Sequence, residues 1–259
     1  MIFPKKKLGQ NFLVDKNIQK KIIAAAELKK DDIVLEIGAG RGELTRCIAQ
    51  KVARVYALEI DRSLCDILKG NLKEYKNTVV INEDVLKFNL KRHFRGQARI
   101  KVMGNIPYYI TTPIIERLFK FKDKINTVFF TVQKEFGRRM TAACGSKEYG
   151  SFSCFLQYYA QPKIIFIIKK NCFFPAPKVD SCFLRLDIRQ KPPVKLKDEQ
   201  LFFQIIRRAF NQRRKTLRNS LKGSVYASKL ERFFREYRID PNTRPERLSL
   251  KDFANLANL

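Results

Sequence analysis

The run Val34-Leu35-Glu36-Ile37-Gly38-Ala39-Gly40-Arg41-Gly42 constrains this chain more than any other. A short apolar strand feeds into three alternating glycines, and a helical pattern follows over residues 43–50. Glycine admits the left-handed backbone and lets a ligand approach the main chain closely. A helix start behind such a turn presents unbonded N–H groups. The spacing is G-x-G-x-G, which is neither the G-x-G-x-x-G of dinucleotide folds nor a Lys-containing phosphate loop. Taken alone, the turn is an ordinary tight βα connection, so its surroundings decide its role. Those surroundings alternate regularly. Strand-like runs fall at 33–37, 54–59, 78–82, 100–103, 127–132, 163–168 and 182–188, and helical patterns at 16–26, 43–50, 62–72, 112–121, 134–143 and 152–160. Alternation of this kind predicts an α/β fold with a Rossmann-like, mostly parallel seven-stranded sheet covered on both faces. No helix separates the last two strands, so the final one is expected to run antiparallel.

Composition narrows the partners. Lys and Arg total 53 against 25 Asp and Glu, a net charge of +28, and 45% of the 259 residues are hydrophobic. A globular chain this basic implies a polyanion, and nucleic acid fits better than an anionic membrane because no apolar run approaches 18 residues. Met1-Ile2-Phe3-Pro4-Lys5-Lys6-Lys7 lacks the apolar core of a secretory signal. Six scattered Cys without a C-x-x-C pair, and one His, argue against a zinc site or a disulfide framework. The expectation is a cytoplasmic protein with no bound metal, its cysteines serving as small core residues. His93, in a basic stretch, is read as a surface residue. Composition shifts at Gln190-Lys191-Pro192-Pro193, which divides the chain into residues 1–190 and a strand-free, helical segment 191–259. That segment is itself basic, with 17 Lys and Arg against 7 Asp and Glu.

Four polar or glycine positions fall at the C-terminal ends of four successive strands, where open α/β sheets bind ligands. Gly38 and Gly40 form the turn. Glu59 ends the second strand and is placed to accept both hydroxyls of a ribose. Asp84 follows the third and is placed to accept from an adenine amine, or equally to cap residues 85–88. Asn105 ends the fourth. With Ile60 and Val85 beside them, these residues suit an adenosine cofactor without a pyrophosphate, and S-adenosylmethionine (SAM) fits best. Asn105 also opens the tetrad Asn105-Ile106-Pro107-Tyr108. An adenine amine is a poor nucleophile because its lone pair is delocalised into the ring. The Asn105 oxygen and the carbonyl beside Pro107 are acceptors for its hydrogens, Pro107 removes a competing donor, and Tyr108 offers a ring face to an unstacked base.

Lys7-Leu8-Gly9-Gln10-Asn11-Phe12-Leu13, Leu35 to Gly42, Asn105 to Tyr108 and Phe173-Phe174-Pro175-Ala176-Pro177-Lys178-Val179-Asp180-Ser181 resemble the successive motifs of the ribosomal RNA adenine N6-dimethyltransferases. Phe210-Asn211-Gln212-Arg213-Arg214-Lys215-Thr216-Leu217-Arg218-Asn219 resembles the bacterial small-subunit branch of that family, KsgA. The resemblance spans nearly the whole chain. It implies that Asn11 and Leu13 close over SAM, and that Phe173, the aromatic of F-x-P-x-P, sandwiches the target adenine against Tyr108, with Phe174 ranked second. It implies dimethylation of two adjacent adenosines in a hairpin loop near the 3′ end of small-subunit rRNA, within an immature subunit, by a monomer. Ala39 stands where the family often has Pro, and Ile106-Pro107-Tyr108-Tyr109-Ile110-Thr111-Thr112 varies on Leu-Pro-Tyr-Asn-Ile-Ser-Thr. Neither departure removes a group the chemistry needs. For RNA contact, Arg207, Arg208, Arg213, Arg214, Lys215 and Arg218 recur at helical spacings and are expected to follow phosphates. Lys5 to Lys7 and Arg138-Arg139 are further expected contacts.

Overall fold

The strand ends that carry the polar residues are brought side by side by one twisted sheet. The computed structural model describes residues 4–5, 8–96, 99–212 and 214–259. Its strands are β1 (Phe12–Leu13), β2 (Ile33–Ile37), β3 (Arg54–Glu59), β4 (Thr78–Asn82), β5 (Ile100–Asn105), β6 (Ile125–Gln133), β7 (Ala160–Ile168), β8 (Phe173–Phe174) and β9 (Ser181–Ile188). Seven of them form a sheet in the order β4-β3-β2-β5-β6-β9-β7, and β1 pairs with β8 in a separate ladder. The pairings β4-β3, β3-β2, β2-β5 and β5-β6 are parallel, and β9 runs antiparallel to β6. The order reverses between β2 and β5, so the crevice at their C-terminal ends is the switch point where such sheets bind ligands.

The central strands are nearly continuous apolar runs because both faces are covered. Val34, Leu35, Val55, Val102, Met103, Val128, Phe129 and Phe130 are all buried. Helices start where short polar side chains cap them: Asp15 accepts from Asn17 N and Ile18 N, and Asp61 accepts from Ser63 N. The helix at Glu43–Ala49 instead begins at Gly42, which sits at φ +87°.

The chain divides into two compact units. The first comprises residues up to Gly137 together with Lys163–Ile188, and the second comprises Arg138–Pro162 with Arg189–Leu259. The boundary therefore differs from a single cut at residue 190. The reason is the helix Ser151–Tyr159, whose Cys154 and Tyr158 belong to the same core as Phe202, Ile206, Phe210, Phe233 and Phe253. Tyr158 and Tyr159 both hydrogen-bond Glu199, and Arg189 Nε donates to the Gln157 carbonyl. These bonds draw residues 138–162 into the second unit.

Helices of the second unit run Glu199–Asn211, Leu217–Leu221, Ala227–Glu236 and Leu250–Asn258. The Leu217–Leu221 helix starts behind Thr216, its N-cap, which accepts from Asn219 N. The Leu250–Asn258 helix opens on a reciprocal Ser249–Asp252 capping box. Among the cysteines, Cys65, Cys154 and Cys182 are buried as core residues should be, Cys47 and Cys172 are half-buried, and Cys144 is exposed. Among the described residues, no helix is long and apolar enough to cross a membrane.

Gly104 shows how closely β5 and β2 approach beneath the crevice. It pairs with Ile37, and a Cβ there would lie 2.6 Å from the Ile37 carbonyl oxygen. Backbone cannot yield as a side chain does. Gly104→Ala is therefore expected to cost about 1–3 kcal/mol in denaturant unfolding; an unchanged midpoint would show that the two strands separate easily.

Candidate active site

The cleft above the switch point is built from the sheet's C-terminal edge and the segment that precedes β1. Its walls are Leu8 to Phe12, Ile37, Gly38, Gly40, Leu58 to Ile60, Leu64, Glu83 to Val85, Asn105 to Tyr108, Ile110 and Ile114. The space between them is about 780 Å³ including the open mouth. Of the residues expected to meet the cofactor, Asn11, Gly38, Gly40, Glu59, Ile60, Asp84, Val85 and Asn105 all line this cleft, and so do Pro107 and Tyr108.

Each polar group is oriented by a specific bond. Glu59 is buried, with Oε2 accepting from Gly40 N at 2.9 Å and Oε1 accepting from Asp61 N at 3.0 Å. One carboxylate thus ties the glycine turn of β2 to the end of β3. Burial raises its pKa, and the backbone N–H groups of Asp61 and Gly40 oppose that rise. Gly38, at φ +73°, donates its N–H to the Leu58 carbonyl at 2.8 Å. Asp84 Oδ1 accepts from Leu86 N at 2.9 Å, and the Asp84 carbonyl accepts from Lys87 N and Phe88 N. Asp84 is therefore a cap, as the sequence allowed, and its second oxygen is left for a ligand. Glu36, buried beneath the turn, is pushed up to about 8 by burial and is neutral at pH 7.

Asn105 is oriented by its amide nitrogen, which donates to the Asn11 carbonyl at 2.7 Å. A carbonyl only accepts, so this contact fixes which end of the amide is nitrogen and leaves Oδ1 as the acceptor. Tyr108 is held by a 2.6 Å bond between its hydroxyl and Ser181 Oγ. Ser181 is fully buried at the start of β9, and its part in aiming the ring is not evident from sequence spacing.

Asp61 is another residue the sequence did not single out. It caps the helix Arg62–Asn71 and also receives Lys5 Nζ at 2.8 Å and Gln10 Nε2 at 3.3 Å. Burial alone would raise its pKa, yet the bonds from Lys5, Ser63 and Gln10 outweigh it and bring the carboxyl down to about 2. The segment bearing Gln10 and Asn11 is thereby anchored at both Asp61 and Asn105. The available signal was an Asp at the N-cap position, immediately before the helical pattern that starts at Arg62.

Two expected residues do not line this cleft. Leu13 is in the core, and it lines a smaller adjoining cavity that shares Phe12, Gly38, Gly40 and Asn105 with the cleft. Phe173 is 3% exposed and packs in the cluster that contains Leu13, Ile22, Ile168 and Phe183. The physical reason is the β1–β8 ladder, in which Leu13 pairs with Phe173 and Phe12 with Phe174. Side chains alternate across a strand, so the pair Leu13 and Phe173 turns inward while Phe174 is 59% exposed. The F-x-P-x-P spacing selected the buried ring. His93 is half-buried and stacks on Phe88 at 4.4 Å, away from the cleft walls.

The basic residues expected to follow RNA sort differently. Arg207, Arg208, Arg214 and Lys215 are exposed in the second unit, and Arg138 and Arg139 are exposed as well. Arg218 pairs with Glu231 at 3.0 Å and lies over the Phe234 ring at 5.4 Å. Arg213, Lys6 and Lys7 lie outside the described residues. Lys5, its side chain 52% exposed, pairs with Asp61 at 2.8 Å.

Charge is the informative property of the cleft. Three acidic residues, Glu59, Glu83 and Asp84, line it, and no Lys or Arg does among the described residues. An acidic site in a chain of net charge +28 does not suit a pyrophosphate, and it suits a ligand carrying positive charge. The donor set fits SAM: acceptors for a ribose and an adenine amine, apolar walls at Ile60 and Val85, and a glycine turn at which a Cβ on Gly40 would come within 3.2 Å of the Phe12 ring.

The sheet order and this constellation define a Rossmann-like, SAM-dependent methyltransferase. Residues 3–259 match the model of the ribosomal RNA adenine dimethylase family, and the chain belongs to that family. It is 42% identical to the ribosomal RNA small subunit methyltransferase A of Clostridium acetobutylicum over 98% of this chain and 92% of that protein. Identity to the same-named protein of Caldanaerobacter subterraneus subsp. tengcongensis is 44%, covering 98% and 96%. Among solved structures, a dimethyladenosine transferase from Plasmodium falciparum superposes with a TM-score of 0.82 at 25% identity, covering 95% of each chain. The 23S rRNA methyltransferase ErmE superposes with a TM-score of 0.77, also at 25% identity, covering 95% of this chain and 98% of its own.

The two aromatics of β8 make opposing predictions. Phe173→Ala is expected to lose about 3–5 kcal/mol of stability, whereas Phe174→Ala leaves the unfolding midpoint essentially in place. A Phe173→Ala protein of normal stability but without activity would restore Phe173 as the base platform.

Proposed function

We propose that this chain dimethylates the N6 amines of two adjacent adenosines in a hairpin loop near the 3′ end of small-subunit rRNA, acting as a cytoplasmic monomer on the immature small subunit. The single observation carrying the chemistry is the fixed amide of Asn105, whose free oxygen stands beside Pro107 and Tyr108 at the mouth of an acidic cleft. The higher identity to small-subunit enzymes, 42–44%, than to the 23S enzyme, 25%, supports the small-subunit substrate.

When bound, SAM supplies a sulfonium methyl that is already a strong electrophile. The protein's task is then alignment. Glu59 accepts from the ribose hydroxyls, and Asp84 accepts from the cofactor's adenine amine. Gly38 and Gly40 let the backbone approach, while Ile60 and Val85 enclose the adenine. On the substrate side, Tyr108 receives the ring of an adenosine taken out of its stack. Asn105 Oδ1 and the Ile106 carbonyl accept the two N6 hydrogens, which localises the nitrogen lone pair and aims it along the line of transfer. The new C–N bond would form as the sulfonium–methyl bond breaks, leaving a neutral thioether, and the amine would give up one proton to water. The monomethylated amine keeps one hydrogen, so the same acceptors serve a second transfer.

A related reading, modification of large-subunit rRNA, is separated by one assay. Unmethylated small and large subunits are incubated with labelled SAM, and the product is mapped by mass. N6,N6-dimethyladenosine at adjacent small-subunit positions is the expected result, and label confined to the large subunit would overturn the reading. In that assay Asn105→Ala is expected to lower kcat about hundredfold, with the unfolding midpoint little changed.

Glu59 provides a pH test. Its folded pKa is raised above the ordinary 4.5, so the cofactor-free protein takes up this proton earlier on acidification than the unfolded chain does. That uptake favours the folded state as pH falls toward the ordinary carboxylate value, yet it removes a ribose acceptor. SAM affinity, measured by calorimetry, is therefore expected to begin falling at a pH above 4.5. Glu59→Gln should bind about tenfold or more weakly and lose this pH dependence. An unchanged profile in the variant would remove Glu59 from the ribose.

A further inference from the structure

Tyr226 is 85% exposed, the N-cap residue of the helix Ala227–Glu236. Several phenylalanines of the same unit behave oppositely, with Phe202, Phe233 and Phe253 fully buried and Phe210 nearly so, while Tyr237 is 38% exposed. A single exposed ring is unremarkable on a protein surface, so its setting has to carry the argument. Two grooves of the second unit meet beside it. The first follows the solvent face of Glu199–Asn211, with Gln204, Arg207, Arg208 and Asn211 along one wall and Ser224 on the other. The second shares Ser224 with the first and is lined also by Asn219, Lys222, Tyr226 and Glu231. Arg218 also borders this groove, but its guanidinium is engaged by Glu231 and Phe234. The cations of the two grooves are therefore Arg207, Arg208 and Lys222, beside the amides of Gln204, Asn211 and Asn219 and the exposed ring of Tyr226.

We propose that Tyr226 is a stacking platform for an unpaired base of the RNA substrate, with Arg207, Arg208 and Lys222 following the phosphates that lead to it. The proposal rests on the RNA reading above and adds a recognition site to it. Unpaired RNA matches both the cations and the ring, since each nucleotide offers a π-face and an anionic phosphate. An acidic peptide would use the cations and leave the ring unexplained. Stacking and phosphate contacts also separate by salt: phosphate contacts release counterions and steepen the salt dependence, whereas stacking does not.

The chain contains no tryptophan, so Tyr226→Trp places a sole indole at the platform. The expected result is quenching of its fluorescence when protein-free small-subunit rRNA is added, with binding followed independently by anisotropy of the labelled RNA. Tyr226→Ala should bind that RNA about tenfold or more weakly, with an unchanged slope of log K against log salt. Arg207→Gln and Arg208→Gln should each reduce that slope by about one. Equal SAM affinity and equal unfolding midpoints keep misfolding out of the comparison. An indole that stays bright on bound RNA, or a Tyr226→Ala protein that binds as wild type does, overturns the platform while leaving the RNA reading intact. Weakening toward assembled subunits but not toward protein-free rRNA also overturns it, in favour of a ribosomal protein's acidic surface. Failure of the wild-type protein to bind small-subunit rRNA in either form would defeat the RNA reading and the platform together.

Discussion

The hydrogen bond from the Asn105 amide to the Asn11 carbonyl, 2.7 Å long, is the constraint on which the rest of the site depends. An asparagine at the end of a strand is free to present either face of its amide, and only one face can activate an amine. Spending the nitrogen on a main-chain carbonyl settles that orientation without any charged group. It also makes the orientation of Asn105 Oδ1 depend on the segment before β1 being in place. Asp61 supports that placement from the other side through Gln10 and Lys5. Removing either anchor leaves the sheet intact and loosens the same few residues. Such sensitivity is expected where function relies on alignment rather than on a strong acid or base.

Glu59 links the second pair of requirements. Its two oxygens hold Gly40 and Asp61, so the carboxylate that is suited to a ribose also shapes the glycine turn and positions the residue that anchors Gln10. Burial makes that charge costly, and two backbone donors offset part of the cost. Evolutionary substitution of such a residue is difficult for a physical reason: an uncharged replacement would have to satisfy the same two N–H groups from an acceptor-only position.

Much of this was legible from sequence because parallel strands bury both faces and leave their polar residues at the ends. Gly38, Glu59, Asp84 and Asn105 could be placed at one crevice by counting strands, and the sheet puts them there. Periodicity also located β2 to β4 to the residue. Three things were not legible. The inward turn of Phe173 depends on a two-residue ladder with β1, too short to leave a periodic signal. The capture of residues 138–162 by the second unit depends on long-range contacts from Tyr158, Tyr159 and Arg189. The loss of Arg218 to Glu231 depends on a helix neighbour thirteen residues away. In each case a side chain's partner lies outside the window that a local pattern can see, and spacing alone cannot tell an available group from an engaged one.

The distribution of charge connects the fold to both ligands. A uniformly basic surface would attract RNA and at the same time repel a cationic cofactor. The protein separates the two demands by chemistry at the strand ends. Glu59, Glu83 and Asp84 line the cleft while exposed Arg and Lys, among them Arg207, Arg208, Arg214 and Lys215, populate the second unit. Long-range attraction of a polyanion depends on the summed charge and weakens with salt. The buried and half-buried carboxylates of the cleft are screened by salt far less. Transfer of the methyl group leaves the cofactor's sulfur neutral, so the acidic lining that favours the charged reactant favours the product less.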